Sequence, residues 1–267
     1  MVKTSTQIEI LQAPLLSKIP VKHAFTTRIG GYSSGVFTSA NMHYKKGDKI
    51  NVCKNRRQLF RQLGLSSSSL RLVNQVHGNT VVKAGLENSY EDLLKANADG
   101  IISKDPRICV AVYTADCLPV LLSTSRGNAV AALHAGWRGI IAGIISSGVD
   151  ALCQLAGESP HQFIAAIGPA IGRCCFETGL EVAQQFREQN LEEFILPHSS
   201  KNKKYIDLAG SVKSKLLKSG ILSKNISSFN HCTFCDQEKF FSYRRDGWPT
   251  GQMLSLIAPI PSPNQRT

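Results

Sequence analysis

The chain lacks the long apolar segment that a membrane-spanning helix requires. No run in its 267 residues approaches the roughly 18 to 20 apolar residues needed to cross a bilayer. Residues 1–20 also lack an apolar core followed by a small-residue cleavage site, which argues against a secretory signal. The sequence therefore predicts a cytoplasmic protein with no membrane partner.

Acidic residues are scarce relative to basic ones. The chain has 19 Asp and Glu against 31 Lys and Arg, which gives a formal net charge of +12. Such an excess can attract phosphate-bearing ligands or nucleic acid. The basic residues are scattered, however, and no basic run carries the series of interleaved aromatic residues on which successive bases stack. We therefore expect small-molecule partners and no nucleic acid.

Cysteine is plentiful, but the patterns that would give it a structural role are missing. The chain is long enough to bury its own core and shows no export signal, so its eight cysteines do not indicate a disulfide framework. Cys232 and Cys235 form one CxxC pair with no matching second pair, which is weak evidence for a metal. The adjacent Cys174 and Cys175 cannot easily bridge to each other. The sequence predicts reduced thiols.

Short apolar runs interspersed with helical patterns predict an α/β fold. Ile108–Val112, Ala129–Leu133 and Phe163–Ile167 are apolar runs typical of strands covered on both faces. No internal repeat or linker appears, and the irregular order of strands and helices argues against a barrel. The pattern favours one domain with a mixed sheet. Helices are predicted over 50–64, 87–96, 137–156, Glu177–Asn190 and Asp207–Lys218, and a strand-to-turn segment over Phe240–Gly247.

Three side chains suited to metal binding lie where strands are predicted to end. His77 precedes a glycine after a short apolar run, Cys117 lies in a polar interruption between two strands, and His134 closes a third strand. Such side chains project into a cleft from a rigid support. One thiol and two imidazoles suit a borderline cation such as zinc. Spacing alone leaves three interpretations open: a zinc site, a Cys–His nucleophilic pair, or coincidence.

The same residues belong to blocks that resemble the signatures of the laccase-domain purine nucleoside phosphorylase family. That family has also been called polyphenol oxidase and peptidoglycan editing factor. The blocks follow the family's order and span residues 23 to about 257, nearly the whole chain. They are Phe25–Gly31 with Asn41, Asn74–Gly78, Ala98–Gly100, Thr114–Val120, His134–Gly139, Ile167–Gly172 and Phe241–Gly247.

The resemblance implies a single laccase-like α/β domain over residues 1–267, with mixed β-sheets sandwiched between helices in an α/β/β/α-like arrangement. It also implies one zinc ion bound by His77, Cys117 and His134, with a fourth position open to water or substrate. That set agrees with the residue chemistry, because catalytic zinc takes three protein ligands and keeps one position open. Members of the family cleave adenosine, inosine, guanosine or methylthioadenosine with phosphate, and some deaminate adenosine. The same substrates are expected here.

Further site residues follow from the matching blocks. Arg28, Arg138 and Arg244 are candidates for holding phosphate or ribose, because a guanidinium grips oxyanions through paired hydrogen bonds. Asn41 joins them as a candidate substrate-binding residue. Each arginine could equally serve a structural ion pair. Asp116, beside the ligand Cys117, is expected to be catalytic, either by orienting that ligand or by carrying a proton.

Two other enzyme functions remain open at this point. A copper-dependent polyphenol oxidase would need histidines in paired motifs, and the seven histidines include no His-x-His pair, so copper ranks below zinc. A Cys–His hydrolase or amidase acting on peptidoglycan precursors would use Cys117 as a nucleophile.

The chain also carries Gln252 where relatives often have arginine, which puts an anion contact there in doubt. A monomer is the default expectation, since no exposed apolar face stands out.

Overall fold

A computed structural model describes residues 7–44 and 49–260; the two ends of the predicted domain, 1–6 and 261–267, lie outside the described residues. The strands are β1 (Ile10–Leu11), β2 (Val21–Thr26), β3 (Leu70–Arg71), β4 (Val81–Lys83), β5 (Gly100–Ser103), β6 (Cys109–Thr114), β7 (Leu118–Thr124), β8 (Val130–Ala135), β9 (Phe163–Ile167), β10 (Glu177–Gly179), β11 (Ile195–Leu196), β12 (Lys203–Ile206), β13 (Ile226–Ser228) and β14 (Met253–Pro259). The α-helices are α1 (Lys49–Leu63), α2 (Tyr90–Lys95), α3 (Trp137–Ala142), α4 (Ile144–Ala156), α5 (Leu180–Glu188), α6 (Leu208–Lys218) and α7 (Tyr243–Asp246).

Two mixed sheets form the centre of the molecule. One has five strands in the order β1-β2-β14-β6-β3, and the other has six in the order β13-β9-β7-β8-β5-β4. Most neighbours are antiparallel, but β3 runs parallel to β6, β13 to β9 and β4 to β5. A small antiparallel sheet, β10-β12-β11, lies apart from both. The prediction of mixed sheets in an α/β fold is confirmed.

Alternation along the five-stranded sheet explains how its two faces are covered. On β6, Val110 and Val112 belong to the apolar cluster between the two sheets. The intervening Ala111 belongs to a second cluster with Leu59 and Phe60 of α1. Because successive strand residues point to opposite faces, one strand contributes to both cores. Helix α1 therefore covers the outer face of this sheet.

The six-stranded sheet is covered in the same way from the other side. On β7, Leu121 lies in the inter-sheet cluster, whereas Val120 and Leu122 pack with Val149 of α4 and Val212 of α6. The layers thus run helix, sheet, sheet, helix, as the family resemblance implied. In the part of the chain that the structure describes, no helix combines the length and the apolar character that crossing a bilayer demands.

Three predicted elements differ from the structure. The helix predicted over 137–156 is two helices, because Gly143 adopts φ 94° and ends α3 before α4 begins. The helix predicted over Glu177–Asn190 starts later, since its first residues form strand β10. The segment Phe240–Gly247 contains helix α7, capped by the Ser242 hydroxyl, which accepts a hydrogen bond from the backbone N–H of Arg245 at 3.2 Å. Local periodicity does not reveal a break or a cap of this kind.

Candidate metal centre

The three predicted ligands converge at one end of the six-stranded sheet. Cys117 lies between β6 and β7, where the chain passes from one sheet to the other. His134 is in β8, which pairs with β7 so that Leu118 lies opposite Ala135. This register places Cys117 beside the end of the strand that carries His134. His77 reaches the same point from the loop between β3 and β4.

The distances between the donor atoms suit one small cation. One ligand atom from each of His77, Cys117 and His134 lies within 4.8 Å of the others. The Cys117 Sγ and His77 Nε2 atoms are 3.7 Å apart, and the two imidazole rings meet edge to face at an interplanar angle of 81°. Thiolate and imidazole donors on tetrahedral zinc are about 3.6 Å apart, given bonds of about 2.3 and 2.0 Å. The donor set therefore fits zinc.

A single buried carboxylate orients two of the ligands. Asp99 is fully buried, and its Oδ1 atom is 2.7 Å from Nδ1 of His134. The same carboxylate accepts hydrogen bonds from the backbone N–H groups of His77 at 2.9 Å and Gly78 at 2.6 Å. When Nδ1 of His134 donates to Asp99, Nε2 is left free to face the cation. Asp99 therefore sets both the ring orientation of His134 and the path of the His77 loop.

Hydrogen bonding also decides the charge of Asp99. Burial alone would raise the pKa of this carboxyl group, but the hydrogen bond from His134 and those from the backbone N–H groups of Gly78 and His77 outweigh it, so the pKa is lowered. The carboxylate therefore stays charged next to the histidine that it orients.

The backbone around the ligands is tightly constrained. His77 and Asp116 have φ angles of 62° and 97°, values that residues other than glycine rarely adopt. A Cβ atom on Gly136 would lie 2.9 Å from Cδ2 of His77 and 3.1 Å from Sγ of Cys117. A larger residue would push the His77 ring or the Cys117 sulfur aside. Strained residues of this kind cluster at functional sites, where the surrounding structure holds them in place.

The thiol and the buried imidazole shift each other's protonation. Burial would raise the pKa of Cys117, but the charge of His134 and hydrogen bonds from His134 and His77 lower it to about 6. Burial would lower the pKa of His134, but the Cys117 thiolate and the hydrogen bond to Asp99 raise it to about 9. At neutral pH the pair is therefore thiolate and imidazolium. Thiolate is the form that binds a metal, and binding would release the proton of His134.

Asp116 precedes Cys117 in the chain, and its carboxylate is bound to residues outside the predicted ligand set. Its Oδ1 atom accepts a hydrogen bond from the Thr233 hydroxyl at 2.6 Å, and its Oδ2 atom accepts one from the backbone N–H of Arg244 at 2.6 Å. The carboxylate thereby ties the loop that carries Cys117 to two distant segments. Its catalytic role stays a prediction.

Two of the predicted substrate-binding residues are occupied in holding loops together. The Arg28 guanidinium donates to the carbonyls of Thr38 at 2.9 Å and Gln237 at 3.0 Å. The Asn41 side chain donates to the His43 carbonyl at 3.0 Å and accepts from the backbone N–H of Gln252 at 3.0 Å. These contacts fix the loop after β2 against the C-terminal part of the chain. A substrate contact from either residue stays a prediction.

The other two predicted arginines are exposed. Arg138, at the start of α3, stacks over the ring of Trp137 at 4.2 Å. Arg244 lies over the ring of Phe176 at 5.3 Å and donates to the Glu177 carbonyl at 2.8 Å. Its backbone N–H donates to the Asp116 carboxylate, so this arginine is linked through one residue to the predicted ligand Cys117.

The residue that sequence reasoning missed is Asp99. It lies in the Ala98–Gly100 segment, for which the sequence predicted no role in the site. The available signal was an acidic residue immediately before a buried strand, where an unpaired charge would be costly. Its partner could not be read from the sequence, because the strands that join Asp99 to His134 are distant along the chain. The backbone N–H of His134 also donates to the Asp99 carbonyl at 2.7 Å.

Residues 22–259 match a family described as multi-copper polyphenol oxidoreductase laccase. The chain is 34% identical over 254 residues to a purine nucleoside phosphorylase of Deinococcus radiodurans, covering 95% of this chain and 94% of that relative. It is 29% identical over 259 residues to adenosine deaminase RL5 of an unknown prokaryotic organism, covering 94% and 98%. The crystal structure of YfiH from Bacillus licheniformis superposes with a TM-score of 0.87 at 28% identity, covering 96% and 97%.

The chain therefore belongs to the multi-copper polyphenol oxidoreductase laccase family. The match extends from β2 to the end of β14. It therefore includes all the sequence segments, from Phe25 to Gly247, that resemble laccase-domain purine nucleoside phosphorylases. That resemblance is confirmed.

The lowered pKa of Cys117 predicts a reactive thiol in protein stripped of metal. Alkylation by iodoacetamide should fall about tenfold between pH 7 and pH 5, because only the thiolate reacts and it is protonated below about pH 6. Peptide mass spectrometry would follow the modification, with the exposed Cys53 as a reference thiol outside the centre. Prior addition of zinc should protect Cys117 and leave Cys53 reactive. A Cys117 rate that still rises steeply above pH 8 would contradict the assigned pKa.

The role of Asp99 predicts a loss of metal affinity on Asp99→Asn. The amide removes the charge opposite His134, and losses of such partners weaken metal binding by about 10- to 100-fold. Competition with a chromogenic chelator would measure the zinc affinity. Asp105→Asn, which removes a carboxylate bound to Arg107 away from the centre, is the control and should bind zinc like the parent protein. Equal affinity in both variants would show that Asp99 does not orient a ligand.

Proposed function

We propose that this chain is a zinc-dependent purine nucleoside phosphorylase, with adenosine deamination as a second activity. The observation that supports this most is the convergence of His77, Cys117 and His134, oriented by Asp99, in a chain closely related to a named purine nucleoside phosphorylase. The proposal includes one domain over residues 1–267. We also propose that the protein is a cytoplasmic monomer that acts on small molecules and has no nucleic-acid or membrane partner.

Zinc suits the donor set better than copper. The family's description names several coppers, and a centre of that kind needs many histidines in paired motifs. Here the seven histidines form no His-x-His pair, and His77 and His134 are joined at this centre by Cys117. Two imidazoles and one thiolate leave one of four tetrahedral positions open, as in catalytic zinc sites. A bound zinc ion would supply Lewis acidity and lower the pKa of a coordinated water.

Phosphorolysis also requires the chain to hold phosphate close to the ribose. Arg244 is the residue best placed for this, since it is exposed and its backbone is tied by Asp116 to the loop of Cys117. Arg138 lies in the first turn of the helix that follows His134 and can contribute further positive charge. A guanidinium stabilises the charge of phosphate oxygens. Adenosine, inosine, guanosine and methylthioadenosine are the proposed substrates.

A second function is favoured by a specific observation. Cys117, His134 and Asp99 form a thiolate, imidazolium and carboxylate series, the arrangement that activates a cysteine nucleophile. A Cys–His hydrolase or amidase acting on peptidoglycan precursors would use these groups without a metal. The position of His77 favours the metal, because its Nε2 atom is 3.7 Å from the sulfur and a Cys–His pair has no need of a second imidazole. Metal content separates the two functions.

The phosphorylase proposal predicts that inosine and phosphate yield hypoxanthine and ribose 1-phosphate. His77→Ala, Cys117→Ala and His134→Ala should each abolish turnover and the zinc bound at this centre, because each removes one of three protein ligands. His161→Ala, an exposed histidine outside the centre, is the control and should behave like the parent. Product analysis by chromatography and metal analysis by mass spectrometry give the two readouts. Turnover without metal, or full zinc and activity in a ligand variant, would refute the assignment.

The placement of Arg244 predicts a defect specific to phosphate. Arg244→Ala should lower kcat/KM for phosphate by about tenfold or more, the scale of a lost charge-assisted hydrogen bond, with zinc content unchanged. Arg187→Ala, an exposed arginine on α5, is the matched control. Steady-state kinetics with phosphate varied at saturating inosine would measure the effect, and Arg244→Lys should recover part of it. An unchanged KM for phosphate would remove Arg244 from the binding site.

A further inference from the structure

Four cysteines outside the candidate metal centre lie together in the structure. Cys174, Cys175, Cys232 and Cys235 place their sulfur atoms within 4.8 Å of one another. All four are free thiols. The CxxC pair, Cys232 and Cys235, therefore lies against a second pair of cysteines, the adjacent Cys174 and Cys175. More than fifty residues separate the two pairs in the sequence, and the tertiary fold brings them together.

The spacing of the sulfur atoms matches one tetrahedral ion. Sγ of Cys235 is 3.7 Å from Sγ of Cys174 and 3.3 Å from Sγ of Cys175. Four thiolates at about 2.3 Å from zinc are separated by about 3.8 Å along each edge of the tetrahedron. An iron–sulfur cluster contains several irons and bridging sulfides and would hold its four cysteines farther apart. The set is therefore sized for a single ion.

Backbone groups shape the cluster as well. The backbone N–H of Gly172 donates to Sγ of Cys232 at 3.2 Å, which stabilises the thiolate that a metal needs. A Cβ atom on Gly172 would lie 3.2 Å from Sγ of Cys174 and 3.3 Å from Sγ of Cys232. Glycine thus lets one loop close against the thiols of the other. Each cysteine pair lies in a tight turn closed by a backbone hydrogen bond. The N–H of Cys175 donates to the Gly172 carbonyl at 2.9 Å, and the N–H of Asp236 donates to the Cys232 carbonyl at 2.9 Å.

We propose that Cys174, Cys175, Cys232 and Cys235 bind a second, structural zinc ion. Four thiolates fill all tetrahedral positions, so this site has no open place for substrate, in contrast to the three-ligand centre. The four-cysteine site does not depend on the proposed phosphorylase activity. Its role is to join the loop after β9 to the segment after β13.

This junction lies next to residues that reach the candidate metal centre. The backbone N–H of Thr233, between the two CxxC cysteines, donates to the Ala170 carbonyl at 3.0 Å, and the Thr233 hydroxyl donates to Asp116. Immediately after Cys175, Phe176 and Glu177 contact Arg244. A zinc ion in the four-cysteine site would therefore hold in register the two loops that position Asp116 and Arg244.

Metal stoichiometry tests this inference directly. Protein purified under reducing conditions without chelators should carry about two zinc ions per chain, and Cys117→Ala should retain about one, since it leaves the four-cysteine site intact. Adding Cys235→Ser to that variant should remove the remaining ion. Cys53→Ser and Cys153→Ser, which alter cysteines outside both sites, are matched controls and should not change the zinc content. Inductively coupled plasma mass spectrometry gives the count.

A second measurement covers the case in which the double variant does not fold. Cobalt(II) loaded into Cys117→Ala should give the visible absorption of a tetrahedral thiolate complex, and zinc should displace it. Chelation should also lower the thermal unfolding midpoint of Cys117→Ala and leave that of Cys117→Ala with Cys235→Ser unchanged. The inference is overturned if Cys117→Ala holds no zinc and binds no cobalt. It is equally overturned if intact mass shows these cysteines joined as disulfides, or if iron occupies the site instead of zinc.

Discussion

The hydrogen bond between the buried carboxylate of Asp99 and Nδ1 of His134 is the interaction on which the candidate metal centre depends. Asp99 also accepts hydrogen bonds from the backbone N–H groups of His77 and Gly78. One side chain therefore positions two predicted ligands, His134 and His77, that are distant in the sequence. A charge this deeply buried is tolerated because three backbone N–H groups and the His134 ring surround it with hydrogen bonds. The orientation of His134 is therefore built into the core, whereas the exposed His77 depends on the loop that Asp99 holds in place.

The layered fold supplies the rest of the geometry. Cys117 sits where the chain crosses from the five-stranded to the six-stranded sheet, and the β7–β8 register carries His134 alongside it. Both strands are buried along their whole length, so His134 has little freedom to move, and Cys117 is held at the start of β7. A rigid support of this kind holds donors at metal-binding distances before any ion arrives, which reduces the cost of binding. The strained backbone at Cys117's neighbour Asp116 is held by contacts with Thr233 and Arg244.

Neighbouring residues of α7 differ in the contacts that they make. Of the paired arginines in α7, Arg245 donates to the carbonyls of Thr233, Phe234 and Phe240 and closes the loop, while Arg244 stays exposed. The two proposed metal sites would differ in the same way, because a zinc ion would keep an open position with three protein ligands and none with four. We therefore propose chemistry at the three-ligand centre and a purely structural role for the four-cysteine site.

The sequence by itself determined the α/β class and the buried strands around Cys117 and His134, because local periodicity survives in any arrangement of those strands. The ligand role of His77, Cys117 and His134 rests on residue chemistry and on the family resemblance, and it stays a prediction. Only the tertiary structure decided that Asp99 faces His134 and that Arg28 and Asn41 bind backbone groups, since those partners lie far apart along the chain. The same reason explains why the four-cysteine cluster was not predicted. A metal-binding pair can be recognised by spacing only when its partner is close in sequence, and here the two pairs meet through folding alone.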